Sequence, residues 1–176
     1  DCDQLHELVD LYEKYEDGEY LAGAVKGLQK DITAFEENAS DAMAYSKVMF
    51  GKLYELEHLE ENWEPWLEQC WKLLYGNKAK GYQQNQAAFR KACNLDIILE
   101  QLMVYFIFTY FCGAVYDGNV YGKVHLALHS VYILHEMFTA KWIEQGHILL
   151  QEDIERITYR YSRELEHSDD NLDEMD

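Results

Sequence analysis

Two long apolar segments joined by a short polar turn constrain the fold of this chain more than any other feature. They span residues 97–116 and 120–145, and only Asp117-Gly118-Asn119 separates them. The first contains Glu100 and Gln101 as its strongly polar residues. A helix that is apolar on nearly all sides needs protein around it, so both segments are predicted to be buried helices. The short turn predicts that they form an antiparallel hairpin at the centre of the domain.

The segment 97–116 is also about as long as the 20 residues that a membrane-spanning helix needs. We reject a membrane span because Tyr105, Thr109 and Tyr110 lie inside the segment and no basic flank follows it. Glu100 would also lie in hydrocarbon, at a cost of several kcal/mol.

The rest of the chain also has helical periodicity, and strand patterns are absent from the sequence. The predicted class is all-α, an orthogonal or antiparallel helical bundle of about six to seven helices around the central apolar hairpin. One domain is expected over residues 1–176. We expect it to be the C-terminal part of a longer chain because it begins at Asp1. It divides into peripheral acidic helices (1–93, with helices near 5–15 and 19–35), the core hairpin (94–145), the last helix (150–167) and a frayed acidic tail (168–176).

Charge limits the partners. The formal net charge is −18, and the acidic residues are concentrated towards both ends. This field repels phosphates and anionic lipid, so neither nucleic acid nor a membrane is an expected partner. The four cysteines have no ligand-type spacing, which is typical of reduced thiols in a cytoplasmic protein. The sequence leaves the oligomeric state open.

Two local patterns are candidate metal sites. His125 and His129 are four residues apart on one helix face, although packing is the simpler interpretation. Two Glu-x-x-His motifs allow a di-iron bundle as an alternative function, with further carboxylates from the apolar helices. The residues concerned are Glu55, His58, Glu164, His167, Glu100 and Glu136.

Lone polar residues in the apolar hairpin permit two interpretations. They could form an internal network of ion pairs, such as Lys123 with Glu100 or Asp117, or they could line a tyrosine-rich ligand cavity. The set comprises Glu100, Gln101, Lys123, His125, His129, His135 and Glu136. Glycine-rich phosphate loops and a GxSxG motif are absent from the sequence, so a Rossmann-type cofactor domain is not expected.

Three short runs in the C-terminal half resemble a known family. They are LEQLMVYFIF at 99–108, AVYDG at 114–118 followed by Lys123-Val124, and YSRELEHS at 161–168 followed by Asn171-Leu172. In order and spacing, over about residues 94–172, they are similar to the bacterial flagellin lysine-N-methylases. This resemblance implies methyl transfer from S-adenosylmethionine to lysine ε-amines of flagellin. It also implies an iron–sulfur cluster in a cysteine-rich N-terminal region that this chain does not contain.

The resemblance also suggests candidate site residues. A lysine must be neutral to attack a sulfonium, so a base or a desolvating tyrosine-lined channel has to remove its proton. Candidates to position or deprotonate the amine are Tyr105, Tyr116, Asp117 and Glu164. Candidates to bind the methyl donor are Gln101, Lys123, Ser162, Arg163, Glu166 and His167, although the last four could instead tie the final helix to the core. A further alternative is a non-catalytic helical domain that docks the target protein.

Overall fold

The computed structural model describes residues 39–175, apart from the side chains of Ala39, Val115, Asp117, Asp169 and Asp173. The helices predicted near residues 5–15 and 19–35 lie outside this described part. Its helices are α1 (Ala39–Gly51), α2 (Trp63–Tyr75), α3 (Ala79–Ala92), α4 (Asp96–Tyr110), α5 (Ala114–Asp117), α6 (Val120–Glu144), α7 (Gln151–Glu166) and α8 (Asp169–Met175). Short 3₁₀ turns, Lys52–Tyr54 and Phe111–Gly113, follow α1 and α4. No strand occurs between residues 39 and 175, and the all-α prediction is confirmed.

Helix α6 is the centre of the bundle, as the sequence predicts. It is lined with fully buried residues such as Leu134, Met137 and Phe138, and α1, α2, α3, α4, α7 and α8 all pack against it. The turn before it is set by Gly118, whose φ of 74° is readily adopted only by glycine. Asn119 then caps the helix, with its Oδ1 accepting from the Gly122 amide at 2.9 Å.

Helix α4 differs from its prediction. It packs against α6, but Phe106 is its only buried residue. Ile97, Val104 and Phe108 are 69%, 58% and 83% exposed. The prediction of a helix buried on all sides is therefore wrong, because α4 lies on the outside of α6 and only one of its faces is covered. The helix also ends at Tyr110 rather than residue 116 and continues as a 3₁₀ turn.

The exposed face of α4 matters for the membrane question. Within residues 39–175, Asp96–Gly113 is the helical segment long and apolar enough to cross a membrane by length and composition, with a mean hydropathy of 1.3. Only 6% of this segment is buried in the protein. Its apolar character therefore does not come from a position in the core.

The C-terminal tail is ordered rather than frayed. It forms α8, in which Asn171 and Met175 are buried. The Asn171 side-chain amide donates to the carbonyl oxygens of Glu57, at 2.9 Å, and Glu164, at 2.8 Å. Its Oδ1 accepts from the Glu57 amide at 2.7 Å. The prediction of a frayed tail is wrong because these bonds fasten α8 to a loop that is distant in sequence.

Candidate functional site

The clearest meeting of predicted site residues lies where side chains of α4 and α7 are in contact. The Tyr105 hydroxyl donates to Glu166 Oε2 at 2.8 Å. Ser162 lies one turn before Glu166, and its hydroxyl interacts with the Tyr105 phenol from the same side of α7. The sequence predicted different roles for these two residues: Tyr105 acts on the amine, and Ser162 binds the methyl donor. The structure brings both together with Glu166, and we call the meeting point of these helices the α4–α7 site.

Aromatic rings form the inner wall of the α4–α7 site. Phe106 is buried, and its ring is stacked on Tyr110 with a centroid distance of 6.4 Å. It meets Tyr105 edge-on at 5.3 Å and Tyr161 edge-on at 6.3 Å. The Tyr161 hydroxyl donates to Ser130 Oγ at 3.1 Å, which fixes α7 against α6. The aromatic wall is therefore anchored to the central helix.

The electrostatics of the site depend on Glu166. Its Oε1 is buried and has no hydrogen-bond partner. Burial raises the pKa of Tyr105, and the hydrogen bond to Glu166 raises it further. Burial also raises the pKa of Tyr110, and the negative charge of Glu166 adds to the effect. Both phenols therefore stay protonated at neutral pH, beside an unsatisfied carboxylate oxygen that favours a cationic donor.

Glu164 occupies a different environment from Glu166, because residues two apart on a helix do not face each other. Glu164 is buried, and its Oε2 accepts from the Leu59 amide at 2.7 Å. Its Oε1 is buried without a hydrogen-bond partner. Together with Asn171, it fastens the loop after α1 to α7. The structure thus gives Glu164 a position in the interior, away from Tyr105.

Tyr116, also predicted to act on the amine, faces solvent and is not part of the α4–α7 site. Tyr116 is 94% exposed, and Asp117 is the last residue of the short helix α5.

The six residues predicted to bind the methyl donor do not form one pocket. Gln101, Arg163 and His167 are exposed, and Ser162 and Glu166 belong to the α4–α7 site. Lys123 is half-buried near the start of α6, close to Gly113. In the described part of the chain these residues are therefore spread over α4, the start of α6 and the end of α7.

A cavity of about 410 Å³ lies elsewhere, between α3, α4 and α6. Its walls are mostly apolar and include Leu99, Met103 and Val131. The polar members are Arg90, Asp96, Tyr132 and His135. Burial lowers the pKa of His135 to about 4, so the imidazole is neutral at pH 7. The sequence offers a tyrosine-lined cavity between the two apolar helices as one interpretation, with His135 among its residues. It does not indicate the share of α3 in the wall, because the packing angles of three helices are not specified by local sequence.

The polar residues of the predicted hairpin are separated by the fold. Glu100 and Gln101 face solvent, so they do not line a cavity within the hairpin. Glu136 is fully buried and accepts from the Tyr82 hydroxyl at 2.8 Å and from Gln86 Nε2 at 2.9 Å. Burial raises the pKa of Glu136 to about 7. Glu136 therefore belongs to an internal hydrogen-bond network with Tyr82 and Gln86. This network differs from the Lys123–Glu100 ion pair that the sequence suggested.

The di-iron alternative gains no support. Among residues 39–175, no group of three or more His, Cys, Asp or Glu side chains lies close enough to hold a metal ion. The predicted ligands have other contacts: His58 Nε2 bonds to the Leu53 carbonyl oxygen at 3.1 Å, and Glu136 and Glu164 are used as described above. The His125 and His129 rings are packed edge-on with centroids 4.4 Å apart, and burial lowers the pKa of His129 to about 4.

Comparison with known proteins identifies the family. The family model of the FliB lysine N-methylase C-terminal domain matches residues 1–176. No curated protein and no solved structure matches the chain. Since the match covers the whole sequence, the chain belongs to the FliB lysine N-methylase C-terminal domain family.

Proposed function

We propose that this chain is the C-terminal part of an S-adenosylmethionine-dependent lysine N-methyltransferase that methylates lysine ε-amines of flagellin. The observation that carries the proposal is the match to the lysine N-methylase family over residues 1–176. The α4–α7 site agrees with a role on the acceptor side, because it combines a carboxylate with tyrosine rings at a partly open surface.

The reaction sets a clear chemical requirement. S-Adenosylmethionine supplies the methyl group, and the new N–C bond forms as the S–C bond of the donor breaks. A lysine side chain has an unperturbed pKa of about 10.4, so at neutral pH it arrives as an ammonium and must lose a proton before it can attack. Protein groups that bind the ammonium and exclude water from it are therefore needed.

The test is methyl transfer by the full-length enzyme. Flagellin is incubated with the enzyme and methyl-labelled S-adenosylmethionine, and labelled lysines are mapped by mass spectrometry. The proposal predicts label on lysine ε-nitrogens. Absence of label on flagellin, with enzyme that is folded and retains its full chain, would refute it.

Two exposed residues test the individual site assignments without a change in stability. Tyr116 and Arg163 both face solvent, so Tyr116→Phe and Arg163→Ala should leave the unfolding free energy within about 0.5 kcal/mol of wild type. A fall in methylation by either variant would support a functional role for that side chain. An unchanged rate would remove that residue from the site.

A second candidate function is docking of the protein substrate with no chemistry in this segment. The exposed apolar face of α4, formed by Ile97, Val104 and Phe108, favours it. Calorimetry of the chain with S-adenosylmethionine separates the two candidates. Heat of binding supports a donor site within this segment, whereas absence of heat together with measurable flagellin binding supports docking alone.

A further inference from the structure

We infer that Tyr105, Tyr110 and Glu166 form a cradle that binds the ε-ammonium of the acceptor lysine. This inference rests on the proposed function and specifies which side of the reaction the α4–α7 site serves. It also changes the role of Glu166 from donor binding to amine binding.

The first argument is the unsatisfied charge of Glu166. One carboxylate oxygen accepts from Tyr105, and the other is buried near the Tyr110 hydroxyl without a hydrogen bond of ordinary geometry. Arg163 lies three residues earlier on the same helix, at a spacing that allows an ion pair, yet no ion pair joins the two among the described residues. A buried carboxylate oxygen without a partner is unfavourable, and an incoming ammonium would satisfy it.

The second argument is the ring arrangement. Tyr105 is 44% exposed and Tyr110 is half-buried, so both lie at the surface of the bundle. The buried ring of Phe106 contacts both of them from the inside. Aromatic faces attract cations through their quadrupole, and the attraction grows as water is excluded. A carboxylate beside tyrosine rings therefore suits an alkylammonium better than an anion or a neutral amide.

The third argument is that the two parts of a lysine side chain match the apolar and polar groups of the α4–α7 site. Its methylene stem is apolar and can lie along aromatic rings, while its head needs hydrogen-bond acceptors. The α4–α7 site offers both, with Ser162 near the Tyr105 hydroxyl as a further polar group. A lysine on the surface of another protein can reach Tyr105, because this side chain is not covered by the described part of the chain.

The test uses the chain itself and a defined probe. Binding of Nα-acetyl-lysine amide is followed by NMR of the tyrosine ring signals, and Nα-acetyl-norleucine amide serves as the probe without the amine. We expect lysine to bind at least about tenfold more tightly than norleucine. Glu166→Gln, which keeps the shape and removes the charge, should weaken lysine binding by about tenfold.

Control variants make the result specific. Glu152→Gln removes the same charge from the exposed first turn of α7 and should leave binding unchanged. Circular dichroism of Glu166→Gln checks that this variant is folded, so that a loss of binding is not a loss of structure. Equal affinity for the two probes, or equal loss in Glu166→Gln and Glu152→Gln, would overturn the inference. Because the probe experiment needs no methyl transfer, its failure is distinguishable from failure of flagellin labelling.

Discussion

Replacing Glu136 by Gln should make the protein more stable at alkaline pH and leave it unchanged at acid pH. Glu136 is fully buried and accepts from Tyr82 and Gln86. Gln keeps the shape and the acceptor for Tyr82. Its amide can also donate to Gln86 Oε1, which is buried without a partner.

The magnitude follows from the pKa of the Glu136 carboxyl. Burial raises this pKa from 4.5 to about 7, even though hydrogen bonds with Tyr82 and Ser46 and the charge of Arg90 lower it. A raised pKa in the folded state stabilises the protein below pH 4.5, and this stability is lost as the pH rises through about 7. Each pKa unit corresponds to about 1.4 kcal/mol, so the unfolding free energy of the wild type falls by about 3 kcal/mol as Glu136 ionises. Gln does not ionise, so the variant does not lose this free energy.

The assay is urea unfolding of wild type and Glu136→Gln, followed by circular dichroism at several pH values between about 4.5 and 8. Comparison of the two proteins at each pH cancels the titration of the other acidic residues. We expect equal stability near pH 4.5 and a difference of about 3 kcal/mol in favour of the variant near pH 8. A difference that does not change with pH, or a less stable variant at pH 8, would refute the reasoning.

Three further substitutions test the fold by urea unfolding. Asn171→Ala removes three hydrogen bonds that fasten α8, so a loss of about 2–4 kcal/mol is expected, and a loss below about 0.5 kcal/mol would mean the tail is not fastened. Leu134→Ala opens a cavity against the buried centre of α6 and should cost about 2–5 kcal/mol. Phe108→Ala removes an 83% exposed ring and should change stability by less than about 0.5 kcal/mol, whereas a large loss would show that α4 is covered on this face.

Local sequence signals predicted the helices well. The period of apolar residues and the Asp117-Gly118-Asn119 turn placed the central helix within a residue or two of Val120–Glu144. The amphipathic pattern of the last helix placed Gln151–Glu166 equally well. Both succeeded because period and capping depend on neighbours along the chain.

Burial was harder to predict than helix position. Composition shows that α4 is apolar, but it does not show which of its faces a neighbour covers, so Phe108 was expected inside and lies in solvent. The acidic tail was expected to be frayed because the bond that fastens it joins Asn171 to Glu57, 114 residues away. Net charge and terminal position could not indicate that contact.

The sequence drew attention to Tyr105 and Glu166, but not to Tyr110 or to the way the three residues are arranged. Tyr105 and Glu166 were both selected through the family resemblance, yet in separate roles, because nothing local shows that residues 61 positions apart share a hydrogen bond. Tyr110 was not selected at all. Its position five residues after Tyr105 gave no signal until the stacking on Phe106 was visible.

The most direct test of the account is steady-state methylation of flagellin by the full-length enzyme carrying Glu166→Gln, with Glu152→Gln as the matched control. If the α4–α7 site binds the acceptor lysine, the KM for flagellin rises about tenfold in Glu166→Gln and stays at the wild-type value in Glu152→Gln. The KM for S-adenosylmethionine should not change in either variant. A wild-type flagellin KM in Glu166→Gln would contradict the account.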